Sequence, residues 1–432
     1  MNSLSGDTAQ PGGRTGVIAF DRTLAGLTGI AVKGFLLSLV TFGIYRFWYI
    51  TNLRRFFWSR TTVDGSPGEY TGTGKELFLG FLVALAILVP IYIAIFAVSL
   101  LSPKLAPFGG VISFAVLFLL GQFAVYRGRR YRAGRTLWRG IRLGQDGSAW
   151  TYAGLAAGWS LLTVLTLGLA FPFMRASLER YRIGHTLIGT SRMSSSATGT
   201  AILPYWLLFY AVTLLPVVAC LAFFLVATKF SIPTDLFVPK AGGKASQLTM
   251  NPAYAGTAVA TAIVVAGFVL PIGAAVAALL VPFYRARETR VFMAAASLGP
   301  VRLSSTLKAR QFYWPYILYF LSILGFIAML GVVGLLLALV ATGMGGGNGA
   351  SVFHGFLALG VFVAYLGGAL LFAVLYIRII QARLWAAVAT STVIEDAGAL
   401  NEILASSRGP GSGLNEGLAD ALDVGGALEI GF

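Results

Sequence analysis

The apolar residues of this chain gather into long runs, with the polar ones in short segments between them. Six runs, 76–101, 108–126, 202–228, 255–283, 314–342 and 352–377, hold no Asp, Glu, Lys or Arg except at an edge such as Glu76. About 20 helical residues cross a hydrocarbon core, so each run predicts a membrane-spanning helix. They pair into three hairpins through the links 102–107, 229–254 and 343–351.

Two shorter apolar runs, 34–48 and 159–173, match each other. At an offset of 125, residues 34–62 align with 159–187 without a gap, pairing Leu37 with Leu162, Thr41 with Thr166, Gly43 with Gly168, Arg55 with Arg180 and Thr61 with Thr186. This is read as an internal duplication. Three weaker relatives lie at 129–140, 288–299 and 382–392, each an arginine followed by aromatic or aliphatic and then small residues. The aligned arginines are Arg55, Arg130, Arg180, Arg290 and Arg383, each just past an apolar run. The first three copies carry a threonine six residues later, at Thr61, Thr136 and Thr186; the last two lack it in this alignment.

Of the 432 residues, 57% are hydrophobic and 11% charged, where a soluble domain carries about a quarter charged. That excludes a cytosolic enzyme, a secreted disulfide scaffold and an ordinary nucleic-acid-binding domain. Cys220 is the one cysteine, so no internal disulfide or cysteine-rich zinc site is expected. Residues 1–19 lack the basic start and small-residue cleavage site of a signal peptide.

The net charge of +16 decides the topology. The three hairpin links hold four of the seven lysines and none of the 25 arginines. All the arginines fall in the termini and the segments between hairpins, which the positive-inside rule assigns to the cytoplasm. Both termini are then inside. The assignment requires 34–48 and 159–173 to turn back, as re-entrant or interfacial hairpins hinged at Thr41 with Gly43 and at Thr166 with Gly168. Eight full spans with an outside N-terminus are the alternative.

Residues 127–142 hold seven arginines in sixteen positions, of which Arg132, Arg135, Arg139 and Arg142 would form one stripe on a helix. An interfacial helix of this kind would set its arginines among anionic headgroups, each worth about 1 kcal/mol near an anionic leaflet. Plain topogenic charge explains the same residues. The five aligned arginines could alternatively ring the mouth of a cavity or anchor span ends. Glu179 and Glu288 read as local charge partners for Arg175 and Arg285. No acidic residue lies inside a span, and no catalytic set, metal-binding pattern or P-loop is present. Glycines and prolines within the spans suit close helix packing. The chain is therefore expected to be no enzyme and to hold no metal or cofactor.

The expected fold is an all-α polytopic membrane protein with six transmembrane helices and two re-entrant hairpins. Its divisions are a polar segment 1–24, repeat units 25–150 and 151–313, a third spanning hairpin 314–397 and an acidic tail 398–432, where 415–424 is a candidate docking helix. The expected role is a transporter or channel-like protein for an anionic or amphipathic solute, lipid included. The alternative is a non-transporting scaffold or envelope-assembly factor. Lipids with anionic headgroups are the expected partners, nucleic acid is not, and a second copy or an envelope protein is left open.

Residues 36–81 resemble the YjgN-like family of bacterial inner-membrane proteins, a family of unknown function. The resemblance rests on Thr41, Gly43, Ile44, Tyr45 and Trp48, then Arg55 with Phe56, then Tyr70, Gly72, Thr73 and Gly74. Phe42 stands where leucine is more usual, and Phe47 where proline is; the second copy keeps Pro172 and has Phe173 for the tryptophan. The resemblance implies a multi-pass inner-membrane protein and supplies no activity.

Overall fold

The computed structural model describes residues 14–101, 106–231, 233–239, 248–343 and 348–405. The proposed docking helix at 415–424 and most of the acidic tail lie outside them. The chain separates into two compact units, residues 1–199 with 289–432, and residues 200–288.

One succession recurs along the chain: two helices, then a β-hairpin. Strand β1 (Gly16–Phe20) precedes α1 (Leu27–Val40) and α2 (Arg46–Ser59), which lead to β2 (Thr61–Val63) and β3 (Ser66–Tyr70). Helices α3 (Gly74–Leu101) and α4 (Ala106–Gly134) lead to β4 (Thr136–Trp138) and β5 (Ile141–Gln145). Helices α5 (Ala149–Leu165) and α6 (Phe171–Gly184) lead to β6 (Thr186–Ile188) and β7 (Ser191–Ser195). Next come α7 (Gly199–Ala227), a small hairpin of β8 (Phe237–Pro239) and β9 (Leu248–Met250), and α8 (Ala258–Ala294). Strands β10 (Ala296–Leu298) and β11 (Val301–Ser305) follow, then α9 (Ala309–Gly343) and α10 (Asn348–Leu375). The last helix passes through a π-helical turn, Tyr376–Gln381, into α11 (Ala382–Ser391) and β12 (Thr392–Glu395).

Ten of these strands close into an antiparallel barrel in the order β1-β12-β11-β10-β7-β6-β5-β4-β3-β2, and β2 pairs back with β1. All ten lie in the first unit. Four hairpins are contiguous in sequence. The fifth is assembled from the two ends of the described chain, with Gly16 opposite Ile394 and Val17 opposite Val393. Every junction between hairpins has the same register: Phe20 faces Thr61, Tyr70 faces Thr136, Gln145 faces Thr186, Ser195 faces Ala296 and Ser305 faces Thr392. Strands of three to five residues cannot persist singly in water, so the ring stands on closure.

The expectation of an all-α protein is corrected here. The chain is mostly helical, but each arginine-rich segment leaves its helix and becomes a hairpin. Residues 127–142 show why: α4 stops at Gly134, Arg139 and Gly140 take φ of 51° and 73°, and β5 begins at Ile141. Asp64 and Gly65 turn β2 into β3 the same way, with φ of 48° and 79°. Paired left-handed residues make the two-residue turn that matches strand twist, and Asp-Gly is its strongest sequence signal. The single helical stripe of Arg132, Arg135, Arg139 and Arg142 therefore does not form.

Among the described residues, six helices are long and apolar enough to cross a membrane: Gly74–Leu101, Phe108–Gly134, Gly199–Ala227, Ala258–Ala294, Ala309–Leu339 and Leu357–Ser391. They coincide with the six apolar runs, and their large side chains are mostly exposed. The apolar core of the first unit lies instead in the barrel, built from Ile18, Phe20, Phe57, Trp138, Leu298, Trp385 and Ile394 among others. In the second unit, Trp206 packs edge-on against Tyr284 and the Arg287 guanidinium lies over Tyr205 and Phe283.

Helices α1 and α5 have 14 and 17 residues, about 21 and 25 Å long, short of a 30 Å hydrocarbon core. Both turn at the expected threonine and glycine, through identical bonds. Thr41 Oγ1 donates to Leu37 O and accepts from Tyr45 N; Thr166 Oγ1 donates to Leu162 O and accepts from Ala170 N. Between them and their glycines, Phe42 and Leu167 sit at φ of 49° and 51°, costly for bulky residues, and are 97% and 77% exposed.

Each short hairpin closes on a glycine farther along the chain. A Cβ on Gly74 would lie 2.7 Å from Trp48 Cα, and one on Gly199 would lie 2.8 Å from Phe173 Cα. Trp48 and Phe173 are the aromatics paired at offset 125, as are the two glycines. Backbone cannot move aside as a side-chain end can, so Gly199→Ala should cost about 1–3 kcal/mol. Gly158, on α5, faces open space and is the control. Thermal unfolding in detergent should show a lower midpoint for Gly199→Ala and none for Gly158→Ala; equal midpoints would refute the close approach.

Candidate functional site

The helix ends beneath the hairpins carry the chemistry. In four copies the threonine that opens the hairpin donates to the carbonyl four residues back: Thr61 to Phe57 (2.7 Å), Thr136 to Arg132 (2.9 Å), Thr186 to Arg182 (2.9 Å) and Thr392 to Val388 (2.9 Å). Thr392, three residues later than the sequence alignment looked, restores the threonine to the fifth copy. The residue six before it is Ala386, so Arg383 does not occupy the place of Arg55.

Two of these threonines and one strand carbonyl hold tryptophans against the inner side of β2 and β4. Trp385 Nε1 donates to Thr61 Oγ1 at 2.8 Å, Trp58 Nε1 to Thr136 Oγ1 at 3.0 Å, and Trp138 Nε1 to Val63 O at 3.1 Å. The Trp58 and Trp385 rings lie 4.8 Å apart. Around the indoles is a cavity of about 110 Å³, also lined by Thr186, Arg129 and Arg132.

The aligned arginines face elsewhere. Arg55 Nη2 donates to Gly72 O at 2.7 Å, and Arg180 Nη1 to Ala197 O at 2.6 Å. Each thus clamps the turn between its own hairpin and the next helix. Arg130 is half-buried and Arg290 exposed, and neither lines the bore cavity. Arg383, in the first turn of α11, lines a separate pocket of about 790 Å³ with Arg22, Arg310 and Arg378.

The arginines of 127–142 divide by task. Arg132 is buried at the bore. Arg135 Nη2 pairs with Glu76 Oε1 at 2.7 Å. Arg139 pairs with Asp64 at 3.0 Å and donates to Asn401 Oδ1 at 2.8 Å, locking two turns and the segment after β12 together. Arg142 donates to Gly134 O at 2.6 Å, across its own hairpin.

The buried ionic group was legible only in part. Arg54 and Glu179 are 1% and 4% exposed, and they occupy the same place at offset 125, one cationic and one anionic. That reversal between two segments aligned at offset 125 was the available signal. Glu179 pairs with Arg182, its nearest cation. Glu288 pairs with Arg285 at 3.2 Å, as the sequence suggested. Among the described residues no three His, Cys, Asp or Glu side chains come together to hold a metal ion.

Burial pushes the Glu179 carboxyl up, but Arg182, Arg129 and Arg175 outweigh it and hold the group below its ordinary value of 4.5. A depressed carboxylate stabilises the fold above its unfolded pKa, and that stability is lost as pH falls through the folded value. Glu179→Gln leaves buried guanidinium charge uncompensated and should cost about 3–5 kcal/mol. Unfolding of the detergent-solubilised protein should show this loss at pH 7. Below pH 4.5 the wild type should approach the variant. A variant as stable as wild type at pH 7 would refute the role.

The bacterial protein family of unknown function DUF898 matches residues 16–421. Inner membrane protein YjgN of Salmonella typhimurium (strain LT2) is 30% identical over 130 residues, covering 28% of this chain and 30% of that protein. No solved structure matches the chain. The family match takes in every strand of the barrel and every long apolar helix, and so the chain belongs to the DUF898 family of bacterial proteins.

Proposed function

We propose that this chain is a multi-pass inner-membrane protein that works as a non-transporting scaffold, organising lipid or partner proteins around a cytoplasmic barrel. The observation that carries the proposal is the bore: Trp58, Trp138 and Trp385, bonded to Thr136, Val63 and Thr61, line a cavity there of about 110 Å³. Against a transporter or channel-like role for an anionic or amphipathic solute, Arg55 and Arg180 are spent on carbonyls and do not ring a pore. The inner-membrane location rests on the relative's name and on the six long apolar helices.

The proposed topology sets the barrel and both termini in the cytoplasm, as the arginine distribution favours. The short hairpins α1–α2 and α5–α6 are then re-entrant: they leave and rejoin the barrel, and their bare tips at Phe42 and Leu167 suit an apolar medium. In this reading the internal duplication supplies two copies of a wedge and anchor, each followed by a spanning hairpin.

Two measurements test it. Proteoliposomes should pass chloride and phosphate no faster than empty vesicles; a rate that rises with protein and falls on blocking the bore would refute the sealed barrel. In a Cys220→Ala background, Glu69→Cys on exposed β3 should react with an impermeant maleimide in inside-out vesicles and not in intact cells. Labelling of intact cells would place the barrel outside and overturn the topology.

A further inference from the structure

The pocket at the foot of α11 is strongly cationic. Four guanidiniums reach it from separate stretches: Arg22 from the loop after β1, Arg310 from the first turn of α9, Arg378 from the π-helical turn and Arg383 from the first turn of α11. No carboxylate lines it among the described residues. Other exposed arginines meet acids, as Arg192 meets Asp146 and Arg14 meets Asp64. Here the partners are neutral: Arg378 Nη1 donates to Thr28 Oγ1 at 2.7 Å and Arg22 Nη2 to Thr390 Oγ1 at 3.3 Å. A hydroxyl orients a guanidinium without reducing its charge. Arg310 and Arg383 have no hydrogen bond among the described residues.

Convergent like charges are costly unless an anion completes the group. Guanidiniums present paired N–H donors that match phosphate oxygens, which makes phosphate the favoured anion. The first turn of α9 adds the positive end of its dipole. The π-helical turn widens the helix at Arg378, a distortion found often at functional sites.

Depth fixes the class of ligand. The span Ala309–Leu339 begins within the pocket, where Trp314 is 53% exposed, as an interfacial tryptophan is. Arg378 directly follows the apolar run that ends at 377. The pocket thus lies where headgroups lie, and Trp314 with Leu24 offers an apolar wall beside the cations. We propose that Arg22, Arg310, Arg378 and Arg383 bind a glycerol bisphosphate group, two phosphates answering four guanidiniums, supplied as the headgroup of cardiolipin in the inner leaflet. This rests on the membrane placement proposed above, not on the sealed bore.

The double variant Arg310→Gln with Arg383→Gln tests it, since neither side chain has a hydrogen bond among the described residues. Arg290→Gln with Arg302→Gln removes two exposed charges outside the pocket. Each protein is placed in phosphatidylcholine nanodiscs with cardiolipin, or with phosphatidylglycerol at equal charge, and bound lipid is counted by native mass spectrometry. A third arm adds soluble glycerol bisphosphate to protein in detergent and reads the thermal shift. Wild type should retain cardiolipin over phosphatidylglycerol, and the pocket variant should lose at least tenfold of it while the outside variant loses less than twofold. A shift with soluble glycerol bisphosphate that the pocket variant lacks, without cardiolipin retention, assigns the same site to a free phosphate ester. Equal losses in both variants, or no preference and no shift, overturn the site. Failure of the membrane placement is read separately, from Glu69→Cys labelling.

Discussion

Everything in this molecule hangs on closure of a ring of very short strands. A three-residue strand has too few hydrogen bonds to hold its place, and two open edges would invite pairing with other chains. Closing ten strands removes both edges, and it does so only because the first strand of the chain completes the hairpin begun by the last. The helices answer to this ring. The short hairpins α1–α2 and α5–α6 and the long hairpins start from one strand and come back to the next. Their registers repeat because Thr61, Thr136, Thr186, Ala296 and Thr392 all meet the last residue of the preceding strand.

Arginine performs several distinct jobs around that ring. At Arg55 and Arg180 it is a clamp, spending its charge on a carbonyl at a turn. At Arg135 and Arg139 it joins neighbouring units through Glu76 and Asp64. At Arg129 and Arg182 it is buried with Glu179, where the acid keeps the group tolerable. At the foot of α11 four arginines converge, and the partners recorded for them are neutral. Net charge says nothing of this division; it follows from which atom each guanidinium reaches.

The parts of the fold governed by one strong, uniform force were legible from the residues. The six spans were, because apolar length in a bilayer leaves no alternative, and so were the breaks at Thr41 and Thr166, where a threonine and a glycine share one bonding pattern. The barrel was not. Its strands are three to five residues long, below the reach of any periodicity, and they carry so many arginines that the segments read as charge placed for topology. Asp64-Gly65, between Val63 and Ser66, was the one clear turn signal. In the last copy Arg383 matches by sequence, whereas the residue that keeps the register of the other threonines is Thr392. The buried Glu179 group and the convergence of Arg22 with Arg310 depend on contacts between distant segments, which spacing along the chain does not carry.

Pairing of β1 with β12 also orders the protein's birth. Synthesis runs from residue 16 to residue 395 before the two partners coexist, so β1 must wait while every hairpin between them is made and inserted. Until then the nascent ring is an open arc with a bare edge at each end, the form most exposed to proteases and to mispairing between ribosome-bound neighbours. Without Thr392–Glu395, β1 and β11 would each face an empty place in the ring.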